Sequence, residues 1–202
     1  KLTCNTHQSA QISKGGTMAY YTFTPSSSGK YVIYSTGSDD TRVYLYDSND
    51  NQLASNDDSG SGRNFRLQYN LVAGKQYKFG VRFYNGLKTG KINFCFGPIY
   101  KITYNANGGS GSPSAQEKDY GLTLKLTTNK PIRSGYILLG WSANKNATNA
   151  TYKPGSSYSG NRSCTLYAIW KPVYNTLQKN SVNTAQISEG GTMSYYTFTP
   201  SS

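Results

Sequence analysis

The chain is short of the residues that most enzymes depend on. Its 202 residues include one histidine, His7, three cysteines and nine Asp or Glu. No Ser-His-Asp, Cys-His or G-x-S-x-G arrangement can be assembled from this inventory. A glycosidase needs two carboxylates facing each other across a cleft, and residues 98–173 contain only Glu117 and Asp119. The expectation is a protein that is not an enzyme. Cys4, Cys95 and Cys164 show no C-x-x-C or Cys/His spacing, so a zinc site is not expected either. No apolar run approaches the roughly 18–20 residues a spanning helix needs. With 36% hydrophobic residues and a mean hydropathy of −0.62, no membrane insertion is expected. The chain opens at Lys1 with no Met and no apolar signal region, and reads as a fragment or a mature chain.

What is abundant points to strands. There are 19 Tyr and 21 Gly, with many Ser, Thr and Asn between them. Aromatic and β-branched residues suit a pleated surface, and Gly, Asn and Ser suit tight turns. Strand-like runs fall at Thr17–Thr24, Lys30–Ser35, Arg42–Asp47, Phe65–Leu71, Gln76–Tyr84 and Lys91–Phe96. In the last two, Tyr77, Phe79, Val81 and Phe83, then Ile92, Phe94 and Phe96, share one face at period two. Six such runs with turns between them predict an antiparallel sandwich. Gly97-Pro98 is read as the seam after it. Beyond the seam, Lys101–Asn105, Leu122–Thr127, Tyr136–Trp141 and Thr165–Trp170 read as strands of a smaller domain.

Residues 10–27 and 185–202 agree at sixteen of eighteen positions, 175 residues apart. A match of that length signals a tandem array, one full period plus the opening of the next. The expected domains are therefore 1–97, 98–173 and 174–202. The strand Met193–Phe198, without the rest of its sandwich, is expected to dock on a neighbouring sheet or swap between chains. Neighbouring repeats of the same chain are thus expected partners.

Formal net charge is +12, from 21 Lys or Arg against 9 acids. The excess is spread over both halves, and no run of five basic residues or nucleic-acid motif occurs, so nucleic acid is an unfavoured partner. The segment Arg63 to Lys91 carries seven basic residues and no acid, interleaved with aromatics. It reads either as a groove for a polyanion or as the solvated faces of strands.

The segments GGTMAYYTFTP, RVYLYDSNDNQLASNDDSGSG, LVAGKQYKFGVRF and GKINFCFG, all within residues 1–97, resemble the bacterial pre-peptidase C-terminal domain. That resemblance implies a jelly-roll-like β-sandwich in a secreted protein, with calcium or extracellular matrix bound by some members. YKITYNANGG at 100–109, KPIRSGYILLGWSAN at 130–144, ATYKPGSSYS at 150–159 and TLYAIW at 165–170 are similar to the Listeria–Bacteroides repeat of bacterial surface proteins. This implies a small ubiquitin-like β-grasp domain, with Trp141 and Trp170 as core elements. Together they imply a mainly β chain that is secreted or attached to the bacterial cell wall.

Two groups of candidate site residues follow. Six of the nine acids lie between residues 39 and 58. Asp39, Asp40, Asp57, Asp58, Asp47 and Asn56 are candidate Ca²⁺ ligands, since that ion takes six to eight hard oxygens. The resemblance supports the two Asp pairs in particular. The alternative is that they are turn formers, with Asp47–Asn51 closing a hairpin. The second group lies opposite the expected core: Tyr44, Tyr46 and Tyr84 with Lys78 and Arg82, a platform for sugar rings or a protein surface. The expected function is adhesion to a host extracellular protein, such as an immunoglobulin or a matrix component. The rivals are a carbohydrate-binding module and a structural spacer. A Cys4–Cys95 bridge is a further expectation, which needs Cα atoms within about 7 Å.

Overall fold

Residues 1–176 and 195–197 are described by the computed structural model, and the chain divides into two compact units. The first is Lys1–Tyr100 with Lys118–Leu122, the second Lys101–Glu117 with the chain from Thr123 onward. The first unit contains β1 (Thr6–Ile12), β2 (Ala19–Phe23), β3 (Gly29–Thr36), β4 (Thr41–Tyr46), β5 (Gln52–Asn56), β6 (Arg66–Leu71) and β7 (Tyr77–Phe83). The strand β8 (Gly90–Asn105) gives its first part to this unit and its last residues to the second. In the second unit and at its margin lie β9 (Gln116–Asp119), β10 (Leu124–Lys125), β11 (Tyr136–Ser142), β12 (Ser157–Tyr158), β13 (Cys164–Pro172), β14 (Tyr174–Thr176) and β15 (Tyr195–Thr197). The chain is mainly β.

Two antiparallel sheets make the first unit. In one, β8 pairs with β1 on one side and β3 on the other, and β6 extends it beyond β3. In the other the order is β2-β7-β4-β5. Strict alternation explains how the two faces divide. Along β7, Tyr77, Phe79, Val81 and Phe83 are buried, while Lys78 and Arg82 between them are only partly so. Along β4, Thr41, Val43 and Leu45 turn inward and Arg42, Tyr44 and Tyr46 outward. Ala10, Ile12, Ile33, Ile92, Phe94 and Phe96 come from the first sheet to meet Val43, Leu45, Phe79 and Val81 of the second in one core. Phe96 sits at its centre, with ring centroids 4.7 Å from Phe23, 5.4 Å from Phe79 and 5.8 Å from Tyr31. Such aromatic pairs add packing specificity to the burial itself.

In the first unit the expected strands recur with ends moved by a residue or two, except that Lys91–Phe96 continues as β8 to Asn105, and two more appear. β1 and β5 carry Gln, Ser and Asn at most positions, so neither shows an apolar period. The Gly97-Pro98 seam is a different matter, because β8 runs straight through it, with Tyr31 of β3 opposite Pro98. Pairing with β1 has ended by then, at Phe96. A residue with no N–H to give is tolerated where one flank carries no ladder.

The expected Cys4–Cys95 bridge is corrected, for all three cysteines are free. Period two is the reason. Phe94 and Phe96 point into the sandwich, so Cys95 points out of it, where it packs with Val32, Tyr34 and Ile99. Cys4 packs on the inner core. The partner that Cys95 does meet is His7, its cross-strand neighbour, with Sγ 2.9 Å from Nδ1. Burial pushes the Cys95 thiol up, partly offset by its hydrogen bond with Tyr34. Reductant is therefore expected to leave the melting temperature unchanged, and thiol titration of the denatured chain to count three thiols. A count of one would restore the bridge.

The outer side of the first sheet is covered by Lys118–Leu122, which belongs to this unit. Asp119, nearly buried, accepts two bonds from the Arg66 guanidinium, at 2.5 and 2.8 Å. Tyr34 donates its hydroxyl to the Tyr120 carbonyl at 3.1 Å.

In the second unit, β13 pairs antiparallel with β11 and parallel with the last residues of β8. The short pair β10 and β12 lies apart in the pairing pattern. No helix occurs among the described residues. The core holds Ile102, Tyr104, Leu126, Trp141, Tyr158, Leu166 and Ala168. Trp141 is fully enclosed, edge-on to Tyr104 at 4.8 Å, and Trp170 packs at the margin of the same cluster. In the segment expected to dock or swap, Tyr195–Thr197 pairs in parallel with Tyr174–Thr176. Residues 193, 194 and 198 lie outside the described residues, as does most of the expected second sandwich copy.

Candidate functional site

The outer face of β2-β7-β4-β5 gathers all five residues of the expected platform. Register sets the rows. Tyr46 lies opposite Lys78, Tyr44 opposite Gly80, and Arg42 opposite Arg82; on the far flank of β7, Tyr20 is opposite Gly80 and Thr22 opposite Lys78. Tyr84 follows directly after β7, its N–H bonded to the Asp40 carbonyl. Two residues escaped the sequence reading, Tyr20 and Arg42. Tyr20 was hidden in the run AYYTF, where two adjacent tyrosines must face opposite ways and neither is marked. Tyr21 is the one that goes inward, edge-on to Phe94 at 5.3 Å.

Cations and rings interleave on this face. The Tyr44 and Tyr46 rings stack with centroids 6.3 Å apart and planes 21° from parallel. Lys78 Nζ lies 5.1 Å from the Tyr20 ring and 5.2 Å from the Tyr46 ring. The Arg42 guanidinium lies 5.1 Å from Tyr44 and 6.0 Å from Tyr84. Each is within cation–π range. Tyr20 and Tyr84 remain about half exposed, at 52% and 51%. Gly80 leaves room for this arrangement: a Cβ there would sit 3.1 Å from the Tyr20 ring and 3.3 Å from Met18 Sδ. Burial pushes the Tyr46 hydroxyl up, with the neighbouring Tyr20 and Tyr44 adding to it and Lys78 opposing. Lys78 is raised by its hydrogen bond to Asp50.

The acidic candidates are placed differently. Asp47 closes the β4–β5 hairpin: its Oδ1 accepts the Asn49 and Asn51 N–H groups at 2.8 and 2.9 Å, and its Oδ2 accepts from the Asn51 amide at 2.9 Å. Those bonds hold its carboxyl below the usual range. Asp39 pairs with Lys88, Asp50 with Lys78, and Asp40 lies 3.8 Å from Arg63. Asp57 Oδ1 accepts the Asp58 N–H at 3.1 Å. Asn56 caps its loop, taking the N–H groups of Ser59 at 3.2 Å and Arg66 at 2.9 Å. Among the described residues no three His, Cys, Asp or Glu come together as a metal-holding group.

The fold and face define a mainly β chain whose first unit is a two-sheet sandwich bearing an aromatic, cationic outer surface. Comparison adds a family likeness to the second. Residues 100–169 match the family model of the Listeria-Bacteroides repeat domain. Among solved structures, the chain is similar to the pre-peptidase C-terminal domain of collagenase from Bacillus anthracis. Identity is 21% and the TM-score 0.38, over 46% of this chain and 89% of that one. No curated protein matches the chain.

Proposed function

We propose that this chain is a non-catalytic binding module of a secreted or cell-surface bacterial protein, and that it captures an extracellular macromolecule on the outer face of β2-β7-β4-β5. The observation that carries the reading is the convergence of Tyr20, Tyr44, Tyr46 and Tyr84 with Arg42, Lys78 and Arg82 on one sheet face. Tyrosine offers a large flat surface and a polar tip at low entropic cost, which suits recognition. The match of residues 100–169 to a repeat of bacterial surface proteins supports an extracellular setting, and the lack of a catalytic inventory supports binding over turnover. Tandem copies would add avidity through effective concentration. Between the two target classes, the half-exposed rings of Tyr20 and Tyr84 favour a glycan, since sugar rings need flat platforms rather than a pocket.

The test is retention of the full chain on immobilised polysaccharides and on host extracellular proteins, immunoglobulin and matrix components included, with Ca²⁺ or with chelator. Saturable retention that falls about tenfold or more in Tyr44→Ala with an unchanged melting curve is the expected result. Loss of retention in chelator would bring Asp39, Asp40, Asp57 and Asp58 into the mechanism through a bound Ca²⁺. Silence across the whole panel would overturn the reading in favour of a spacer.

A further inference from the structure

The two arginines of the face stand in an arrangement that sheets ordinarily avoid. Arg42 and Arg82 are direct cross-strand partners on the same side of β4 and β7, and like charges so placed repel. Of the acids nearby, Asp39 is committed to Lys88 and Asp50 to Lys78, while Asp40 keeps only a 3.8 Å contact to Arg63 and its Oδ1 is buried without a hydrogen-bond partner. Neither Arg42 nor Arg82 forms an ion pair among the described residues. Arg42 is further exceptional in that its Nε is buried with no hydrogen-bond partner. A buried donor left unmade is costly, and an opposed, uncompensated pair costs more.

Both heads are held in place. Arg82 is anchored by its own Nε and Nη2, which donate to the Phe83 carbonyl at 3.0 Å and the Tyr84 carbonyl at 3.2 Å. Arg42 rests against the rings of Tyr44 and Tyr84. Two positioned guanidinium groups beside tyrosine rings make a site for one planar anion attached to something that stacks. Arg82 already gives Nε and Nη2 to backbone carbonyls, so a ligand meets its Nη1, and the paired Nη groups of Arg42 supply the fork that grips a carboxylate in two parallel hydrogen bonds, which an ammonium cannot do. The half-exposed rings of Tyr84 and Tyr20 supply the stacking surface, with Tyr44 and Tyr46 stacked beside them.

We propose that the face binds an acidic polysaccharide, with a uronic-acid carboxylate seated between Arg42 and Arg82 and neighbouring sugar rings lying on the exposed faces of Tyr84 and, further along, Tyr20. The carboxylate would relieve the Arg–Arg repulsion from the solvent side, at the Nη ends of the two guanidinium groups. This rests on the reading of the same face as a binding surface, and it commits that surface to a charge and a polymer class. Lys78 lies four residues from Arg82 along β7, roughly 13 Å at the usual strand rise, and would meet a second acid further along the polymer by exchanging it for the exposed Asp50 carboxylate it now holds.

The experiment must separate a built site from the general attraction of a +12 chain for polyanions. The full chain is titrated at physiological salt with polygalacturonate and with its methyl-esterified form, which keeps the sugar backbone and removes the charge. Binding is compared between Arg42→Gln/Arg82→Gln and Lys125→Gln/Lys171→Gln, which removes equal charge from exposed positions of the second unit. The expected result is binding to the acid form alone, weakened roughly thirtyfold by the arginine pair and little changed by the lysine pair. If the glutamine variant fails to fold, Arg42→Lys keeps the charge and loses the fork, and a several-fold loss is expected. Equal losses in the two double variants would overturn the proposal by showing diffuse attraction only. So would equal affinity for the esterified polymer, or no binding to the acid. If the acid polymer is ignored while a protein or neutral glycan is retained through Tyr44, this inference fails and the binding module stands.

Discussion

Gly140→Ala is expected to unfold the second unit. Gly140 has φ of +141°, a region that L side chains rarely adopt. It follows the register shift in β11, where pairing with β13 jumps from Leu138 to Gly140. A methyl added there would overlap the Tyr152 carbonyl oxygen and lie 2.9 Å from the Ala150 methyl. That carbonyl cannot simply retreat, because it accepts the Trp141 N–H at 2.7 Å, and the Trp141 carbonyl accepts from Thr151 and Tyr152 at 2.8 and 2.9 Å. The clash therefore falls on the backbone clamp that holds the fully buried Trp141. Strain and lost packing together should exceed about 4 kcal/mol. Both tryptophans, Trp141 and Trp170, lie in this unit, so their emission reports it without interference, and a red-shifted spectrum in the absence of denaturant is the expected observation. Gly111→Ala is the control: its φ is +74° with nothing within 4 Å of the added methyl, so about 1–2 kcal/mol is expected from conformation alone. Native emission and a native melt for Gly140→Ala would mean that the 150–152 segment moves aside.

Alkaline pH should destabilise the chain more than acid does. Burial pushes up the hydroxyls of Tyr21, Tyr31, Tyr34, Tyr46, Tyr100, Tyr104 and Tyr158. For Tyr158, which also bonds to Cys164, the value reaches about 12. A tyrosine raised in the folded state keeps its proton while its unfolded counterpart loses one near pH 10. The unfolded chain then binds fewer protons, and stability falls as pH rises. The contribution is complete below pH 10 and is lost as pH climbs through the folded value. Each tenfold shift in proton affinity is worth about 1.4 kcal/mol. The buried Tyr34 and Tyr158, whose hydroxyls are raised furthest, should thus remove on the order of 3 kcal/mol between about pH 10 and 12. Lys118 acts in the opposite sense, since burial lowers it and raising the pH relieves that penalty, but it is one group against seven. The measurement is the urea midpoint at stepped pH, beside tyrosinate absorbance. Titration of all 19 tyrosines in one step near pH 10, with no fall in the midpoint, would refute the account.

The sequence disclosed the strands whose side chains alternate, and little else. Tyr77, Phe79, Val81 and Phe83 announce β7 because burial demands the period. THQSAQI does not announce β1, whose place is secured by seven consecutive pairs with β8 rather than by its own pattern. The seam at Gly97-Pro98 looked like an end because Pro usually breaks a ladder. That one flank of β8 had already lost β1 is a tertiary fact that no local reading contains. The platform was readable for the same reason as β7: residues between core positions must face outward. Arg42 lies two residues before Tyr44, and its significance depends on facing Arg82 across two strands 40 residues apart in sequence. The acidic cluster shows the limit from the other side. Proximity in sequence put Asp39, Asp47 and Asp50 on one short stretch, and the fold distributed them to Lys88, to a hairpin turn and to Lys78.

The alternation in β4 and β7 also has an evolutionary consequence. Val43, Leu45, Phe79 and Val81 belong to the core, while Arg42, Tyr44, Lys78 and Arg82 share their strands but not their neighbours. Substitutions in the two sets should combine additively, since the groups they touch do not overlap. Selection can therefore rewrite the outward letters of these strands, exchanging one target for another, at little cost to the fold. Gly80 is the exception: a Cβ there would press on the Tyr20 ring at 3.1 Å and Met18 Sδ at 3.3 Å, so a change at this position must move the ring it supports and should be slower to drift than its neighbours.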